Sequence, residues 1–268
     1  MSAGLSYVRA NMAVTHNHQS DAVQLDQRNG EKASCWSCGE MRAALFCESC
    51  GKLQPATPTD YFSFFGLPRK LNVDTARLER DFYQFSRKLH PDVFSRATPQ
   101  EQEWSLQKSS QMNDAYRTLK DPIARTEYLL KLEGVQMEEQ SKQATERARQ
   151  TGETKKQVVP PDLLEEVFEL NMQLEEARTN KKMGETDENL ARDLRQTKAS
   201  LESKHHALDD ELKSYWNEWD ALIDRTESGD VDAIPEQERR SVRDKMVDLL
   251  NRRSYIRNLV RDVNEVLE

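Results

Sequence analysis

Residues 74–92 read DTARLERDFYQFSRKLHPD, and this stretch decides the fold. Asp74 can offer a carboxylate oxygen to the unpaired N–H groups of a helix start, and Val73 and Leu78 stand at the spacing of a hydrophobic staple. Leu78, Phe82, Phe85 and Leu89 then recur at three- and four-residue steps, the apolar stripe of an α-helix facing a core. Arg77, Arg80, Arg87 and Lys88 occupy another side. Pro91 has no N–H and restricts the residue before it, so the helix stops directly after His90. Upstream, Asp60 can cap a short helix carrying Tyr61, Phe62 and Phe65, which Gly66 and Pro68 end. Downstream, the pattern predicts a helix over 101–119 that buries Met112, Tyr116 and Leu119; Asp121-Pro122 closes it and caps a fourth helix through Tyr128, Leu129 and Leu132. The expectation is an antiparallel helix pair with His90-Pro91-Asp92 in the connecting loop.

Composition extends this helical reading to the whole chain. With 9 Gly and 9 Pro in 268 residues, turn formers are scarce, and few turns mean few, long elements. The 39 Lys and Arg against 47 Asp and Glu leave a net charge of −8, which repels phosphate and argues against a nucleic-acid partner. No apolar run is long enough to cross a bilayer. Beyond Pro160, Pro161 and Asp162 the chain carries three coiled-coil-like stripes. The first is Leu163, Val167, Leu170 and Leu174; the second is Leu190, Leu194, Leu201, Leu208, Leu212, Tyr215, Trp219 and Leu222; the third is Val242, Met246, Leu249, Ile256, Val260, Val263 and Leu267. Ser228-Gly229-Asp230 and Pro235 break the last two apart, and an antiparallel three-helix bundle follows. The middle helix would reach ~55 Å at 1.5 Å per residue, longer than its neighbours can cover, so its end is expected to project, bend or meet another chain, as in a homodimer. Trp216, Trp219 and the pair His205-His206 read as packing and solvent-exposed polar residues.

The first helix of the bundle carries a second apolar line, Leu164, Phe168 and Met172, about 100° away from its core stripe, with Glu169 and Glu176 beside it. Two readings stand: a broad core face, or a surface for a partner.

All four cysteines fall in two knuckles, Cys35-Trp-Ser-Cys38-Gly and Cys47-Glu-Ser-Cys50-Gly. Each pair of thiolates is spaced to hold one metal ion, and the glycine after it permits a left-handed turn. The pattern points to a structural four-sulfur zinc site. Iron in the same cage, two disulfides, or a redox pair are the alternatives, although a redox Cys-x-x-Cys expects a strand-to-helix setting and residues 41–46 look like a short hairpin. So few residues surround the knuckles that the metal is expected to supply most of the local stability.

His90 and Asp92 invite an acid–base reading, but no nucleophile with its own orienting group accompanies them. Residues 1–33 lack hydrophobic periodicity and are expected to be disordered; the first twenty contain Arg9 and no acid, a faint mitochondrial-transit composition. Residues 135–160 are polar and read as a solvated linker.

His90-Pro91-Asp92 between two such helices, then Asn113-Asp114-Ala115-Tyr116 and Leu119-Lys120-Asp121-Pro122, closely resembles a J domain. The flanking stretches from Asp60 to Leu67 and from Tyr128 to Gly134 narrow the resemblance to the HscB (Jac-type) co-chaperones of iron-sulfur cluster assembly, eukaryotic type with N-terminal zinc knuckles. It covers residues 35–134 well and the remainder more loosely. The resemblance implies an all-α protein: a disordered or transit segment (1–33), a four-Cys zinc module with Cys35, Cys38, Cys47 and Cys50 as ligands (34–56), a J domain (58–134), a linker (135–160) and a C-terminal helical bundle (161–268). It implies a non-enzymatic chaperone partner protein in the mitochondrial matrix, otherwise the cytoplasm. His90, Pro91 and Asp92, with Arg80, Arg87 and Lys88, would dock on a DnaK-type chaperone and stimulate its ATPase. Leu164, Phe168, Glu169, Glu176 and Tyr255 would bind the scaffold protein (IscU type) that carries the nascent cluster. Glu165 and Met172 depart from that surface, exchanging apolar for acidic and acidic for apolar character. A metal-dependent redox protein built on the cysteines, or a J protein for an unrelated client, are the other functional readings.

Overall fold

The computed structural model describes residues 34–40, 45–57, 59–135, 160–185, 187–226 and 231–268. The expectations for residues 1–33, for most of the 135–160 linker, for residues 41–44 between the knuckles and for the break at 228–230 lie outside the described residues. The protein is all-α. It divides into two compact units, Met1–Gln54 and Pro55–Glu268.

The first unit holds the cysteine knuckles and one isolated antiparallel bridge, Phe46 to Leu53. In the second unit, α1 (Tyr61–Phe64) starts where Asp60 accepts the N–H of Ser63, and α2 (Thr75–Leu89) where Asp74 accepts that of Arg77. Helix α3 spans Pro99–Lys120, two residues earlier than the periodicity indicated, because Thr98 and Glu101 form a reciprocal capping box with Pro99 in the first turn. Asp121 caps α4 (Pro122–Leu132) through the Ala124 N–H. Leu78, Leu89, Met112, Leu119, Leu129 and Leu130 are buried between these helices, each contributing roughly 2 kcal/mol of transfer free energy. Phe82 and Phe85 are only half-buried but stay useful: Phe82 stacks on Tyr116 of α3 at 4.1 Å, and Phe85 meets Phe65 at 5.9 Å.

After a short turn at Pro161–Leu163 come α5 (Leu164–Met183), α6 (Glu188–Asp224) and α7 (Glu236–Leu267). Gly184, with φ of 73°, closes α5 in the left-handed conformation that only glycine adopts freely. Leu163, Val167, Leu170 and Leu174 pack against Leu190, Leu194 and Leu201 of α6 and Ile256, Leu259 and Val263 of α7.

The C-terminal part of the long middle helix receives the α1–α2 loop of the same chain. The buried Asp220 carboxylate accepts from the Leu71 N–H (2.6 Å), the Asn72 N–H (2.9 Å) and the Asn72 side-chain amide (2.8 Å). Trp219 Nε1 donates to the Arg69 carbonyl at 2.9 Å, and Lys70 pairs with Asp224. From the other side the buried Arg125 donates to the carbonyls of Leu71 (2.9 Å) and Leu119. A second joint forms where Glu133, at the end of α4, is held by Arg239 and Arg243 of α7, each at 3.1 Å. The helices around His90 and the three-helix bundle thus belong to one compact unit, and the buried Asp220, Arg125 and Glu133 at their joints are each paired. Removing one partner strands the others: Asp220→Ala leaves the buried Leu71 N–H and the part-buried Asn72 N–H unpaired and is expected to cost about 3 kcal/mol, read as a lower urea midpoint at unchanged helicity. A change under about 0.5 kcal/mol, the range of ordinary surface substitutions, would show that this joint carries no stability.

Candidate functional site

Three places among the described residues carry more chemistry than folding requires. The first is the turn after α2. Pro91 pushes His90 to φ −57°, ψ 130°, and the helix's last carbonyls must find partners outside the helix. Leu89 is fully buried, and its carbonyl is taken by two hydroxyls of α3, Ser105 at 2.7 Å and Ser109 at 2.9 Å. On the far side of the turn, Gln102 donates to the carbonyls of Ala97 (3.1 Å) and Ser95 (3.3 Å). The turn is therefore clamped at both ends by α3 while its tip stays in solvent. At the tip the Asp92 N–H donates to His90 Nδ1 at 3.2 Å, which assigns the neutral ring's proton to Nε2. The Asp92 side chain is 90% exposed. A carboxylate so hydrated is suited to meeting another surface rather than to proton transfer in a closed pocket.

Arg80, Arg87 and Lys88 are all exposed on α2, as the sequence suggests. Tyr83 lies among them, three residues after Arg80 and four before Arg87, and is 55% exposed. Sequence reasoning missed it, although the spacing that places the two arginines on one face also places the phenol there. Arg77 departs from the group, since it pairs with Asp81 at 3.6 Å.

The second place is α5. Leu164, Phe168 and Met172 are 54%, 67% and 60% exposed, while the core stripe one position away is buried. The broad-core reading of this line is therefore wrong for this chain: the helix buries one stripe and leaves the other in water. Glu165, Glu169 and Glu176 are exposed beside it. Tyr255 does not join them. It is 4% exposed and packed in the core with Leu163, Val167 and Leu170, where burial pushes its phenol pKa up. Its expected place on the partner surface is corrected: the aromatic ring on α7 supports α5 from beneath.

The third place is the cysteine module. Cys35 and Cys50 sulfurs lie 3.7 Å apart, Cys38 and Cys47 3.6 Å, and all four fall within 4.8 Å of one another. These separations exceed a disulfide's ~2 Å and match the ~3.8 Å edge of a tetrahedron with metal–sulfur bonds of ~2.3 Å. The knuckles are built alike: Gly39 N–H donates to the Cys35 carbonyl at 2.9 Å, Gly51 N–H to that of Cys47 at 2.8 Å, and φ at the two glycines is 78° and 72°. Burial pushes the Cys35 thiol up, but the N–H groups of Cys38 and Ser37 and the Gln54 amide, 3.3 Å from the sulfur, outweigh it and bring it down to about 6. The donor set fits one tetrahedral ion. Few apolar side chains surround it, so chelating the ion is expected to raise hydrogen exchange at Cys35, Gly39, Cys47 and Gly51 by orders of magnitude and leave the helical circular dichroism of the second unit intact. Protection that survived a strong chelator would mean that the knuckles fold without metal.

No helix among the described residues is long and apolar enough to cross a membrane. No family model matches the chain. It is 36% identical over 146 residues to the iron-sulfur cluster co-chaperone HscB homolog of Arabidopsis thaliana, 54% of this chain and 52% of that protein. With human iron-sulfur cluster co-chaperone HscB it shares 35% over 159 residues, 57% of this chain and 62% of that one. The chain thus spans somewhat more than half the length of these two relatives. With the co-chaperone HscB homolog of Bordetella petrii it shares 32% over 151 residues, 55% of this chain and 81% of that protein. Among solved structures, human co-chaperone HscB superposes with a TM-score of 0.57 at 25% identity, over 87% of this chain and 98% of that one.

Proposed function

The chain belongs to the HscB co-chaperone family, and from that premise we propose that it activates a DnaK-type chaperone and delivers an iron-sulfur cluster scaffold protein to it. One observation carries the reading: a single compact unit exposes both the His90-Pro91-Asp92 tip and the apolar line of α5, although neither exposure helps it fold. The tip and the basic face of Arg80, Arg87 and Lys88 would contact the chaperone, and an acidic partner surface would be drawn to that face from a distance. Leu164 and Phe168, with Glu169 and Glu176, would hold the scaffold. Stimulation requires that the contact be stronger in the chaperone's hydrolysis-competent state than in its resting state, since a partner that binds both equally shifts nothing. Holding both proteins on one chain raises the concentration of scaffold near the chaperone.

When bound, a zinc ion would supply cross-linking of the two knuckles through Cys35, Cys38, Cys47 and Cys50. The first unit would then be a structural module and the chain itself no enzyme. Family kinship with the eukaryotic relatives supports a mitochondrial location. The test is steady-state ATPase turnover of a DnaK-type chaperone with this chain, with scaffold protein, and with both. Synergy of the pair beyond the sum of each supports the proposal; turnover unchanged in every combination overturns it. Stimulation by the chain with no added effect of scaffold would point to an unrelated client.

A further inference from the structure

A methionine thioether is apolar in its ordinary form and strongly polar once oxidised, so an exposed methionine inside a docking line is a chemical switch. Of the methionines described, Met112 and Met246 are buried, out of an oxidant's reach, and Met172 and Met183 are exposed. Met183 ends α5, eleven residues beyond Met172, whereas Met172 lies one turn after Phe168 in the apolar line. The apolar weight of the line runs from Leu164 through Phe168 to Met172.

We propose that Met172 is a reversible oxidation site that weakens scaffold docking, an inference that rests on the docking role given to α5 above. The oxidant class is a hydroperoxide. The thioether lone pair attacks one peroxide oxygen, the O–O bond breaks, and hydrogen peroxide leaves as one water: sulfur is oxidised by two electrons, peroxide reduced by two. A dithiol-dependent sulfoxide reductase reverses the step, forming a disulfide and releasing the oxygen as water. In the free protein the sulfoxide oxygen stays hydrated, and the buried stripe Leu163, Val167, Leu170 and Leu174 is untouched, so α5 does not unfold. In the complex the same oxygen is pressed against an apolar partner and loses its water without a replacement donor. The effect therefore falls on affinity and spares the fold.

The experiment uses the full chain. It is treated with hydrogen peroxide, the peroxide is removed with catalase, the thiols are restored with dithiothreitol, which leaves sulfoxides intact, and a cluster scaffold protein is then titrated in. Untreated protein must bind; failure there overturns the docking role and this proposal together. With sulfoxide at Met172 verified by mass spectrometry, the dissociation constant is expected to rise about tenfold, the consequence of one poorly paired polar group in an interface. Met172→Leu keeps an apolar side chain of similar volume but cannot form a sulfoxide, so its affinity should be the same before and after peroxide. Met183→Leu should remain sensitive. Wild-type binding that survives verified oxidation, or equal loss in Met172→Leu, would overturn the oxidation site and leave the docking role standing.

Discussion

Asp92→Asn is expected to abolish stimulation of the chaperone ATPase without altering the fold. The side chain is 90% exposed and the one polar side chain paired with it among the described residues is His90, Nδ1 at 3.5 Å, so the stability change should stay within about 0.5 kcal/mol, the usual range for surface positions. The amide preserves shape, and the backbone N–H of residue 92 still donates to His90 Nδ1. The serine clamp on the Leu89 carbonyl is equally unaffected. Only the charge is removed. A carboxylate that meets a cation in an interface contributes roughly 3 kcal/mol when its partner is left unpaired, which corresponds to more than a hundredfold in complex formation. Steady-state turnover should therefore fall to the chaperone's basal rate at any practical concentration. Undiminished stimulation would remove the tip from the mechanism, however well the helices fold.

Local chemistry explains what the sequence disclosed about this site. Asp74 and Pro91 bracket α2, each acting within a few residues of itself, and the helix runs between them as the pattern indicates. The capping box at Thr98 and Glu101 was equally local but lay ahead of the first apolar residue, so a reading keyed to hydrophobic spacing entered α3 two residues late. What could not be read was long-range. Asp220 looks like any acid on an amphipathic helix, and nothing near it in the chain announces that its oxygens will receive N–H groups from residues about 150 positions earlier. The same limit applies to Tyr255. Spacing puts it on α7, but its burial depends on how α5 rests over it, which is a property of the packed bundle. The stripe on α5 shows the other side of this. Its helical phase was legible, yet whether a second line 100° away is covered depends on how many neighbours the helix has. With α6 and α7 both on one side, Leu164, Phe168 and Met172 remain in water.

That exposure sets up the sharpest contrast on α5. Leu164→Ala with Phe168→Ala should leave the melting temperature almost unchanged, because side chains 54% and 67% exposed surrender little packing and alanine is the better helix former at both positions. Leu170→Ala, one stripe away and 1% exposed, should cost 2–5 kcal/mol on the scale of comparable core truncations. Scaffold affinity should respond in the opposite order. Two apolar anchors at the centre of an interface are worth about 2 kcal/mol each, and even with incomplete additivity the double variant should bind at least about a hundredfold more weakly. Titration calorimetry and thermal melting on the same three proteins decide it. If the double variant melts as early as Leu170→Ala, the outer line is core after all; if it melts normally and binds normally, the scaffold lies on another face. Weak binding by a stably folded double variant is the outcome that ties the exposed line to its cargo, because a helix that spends its second apolar face on water gains nothing in folding and must gain it in recognition.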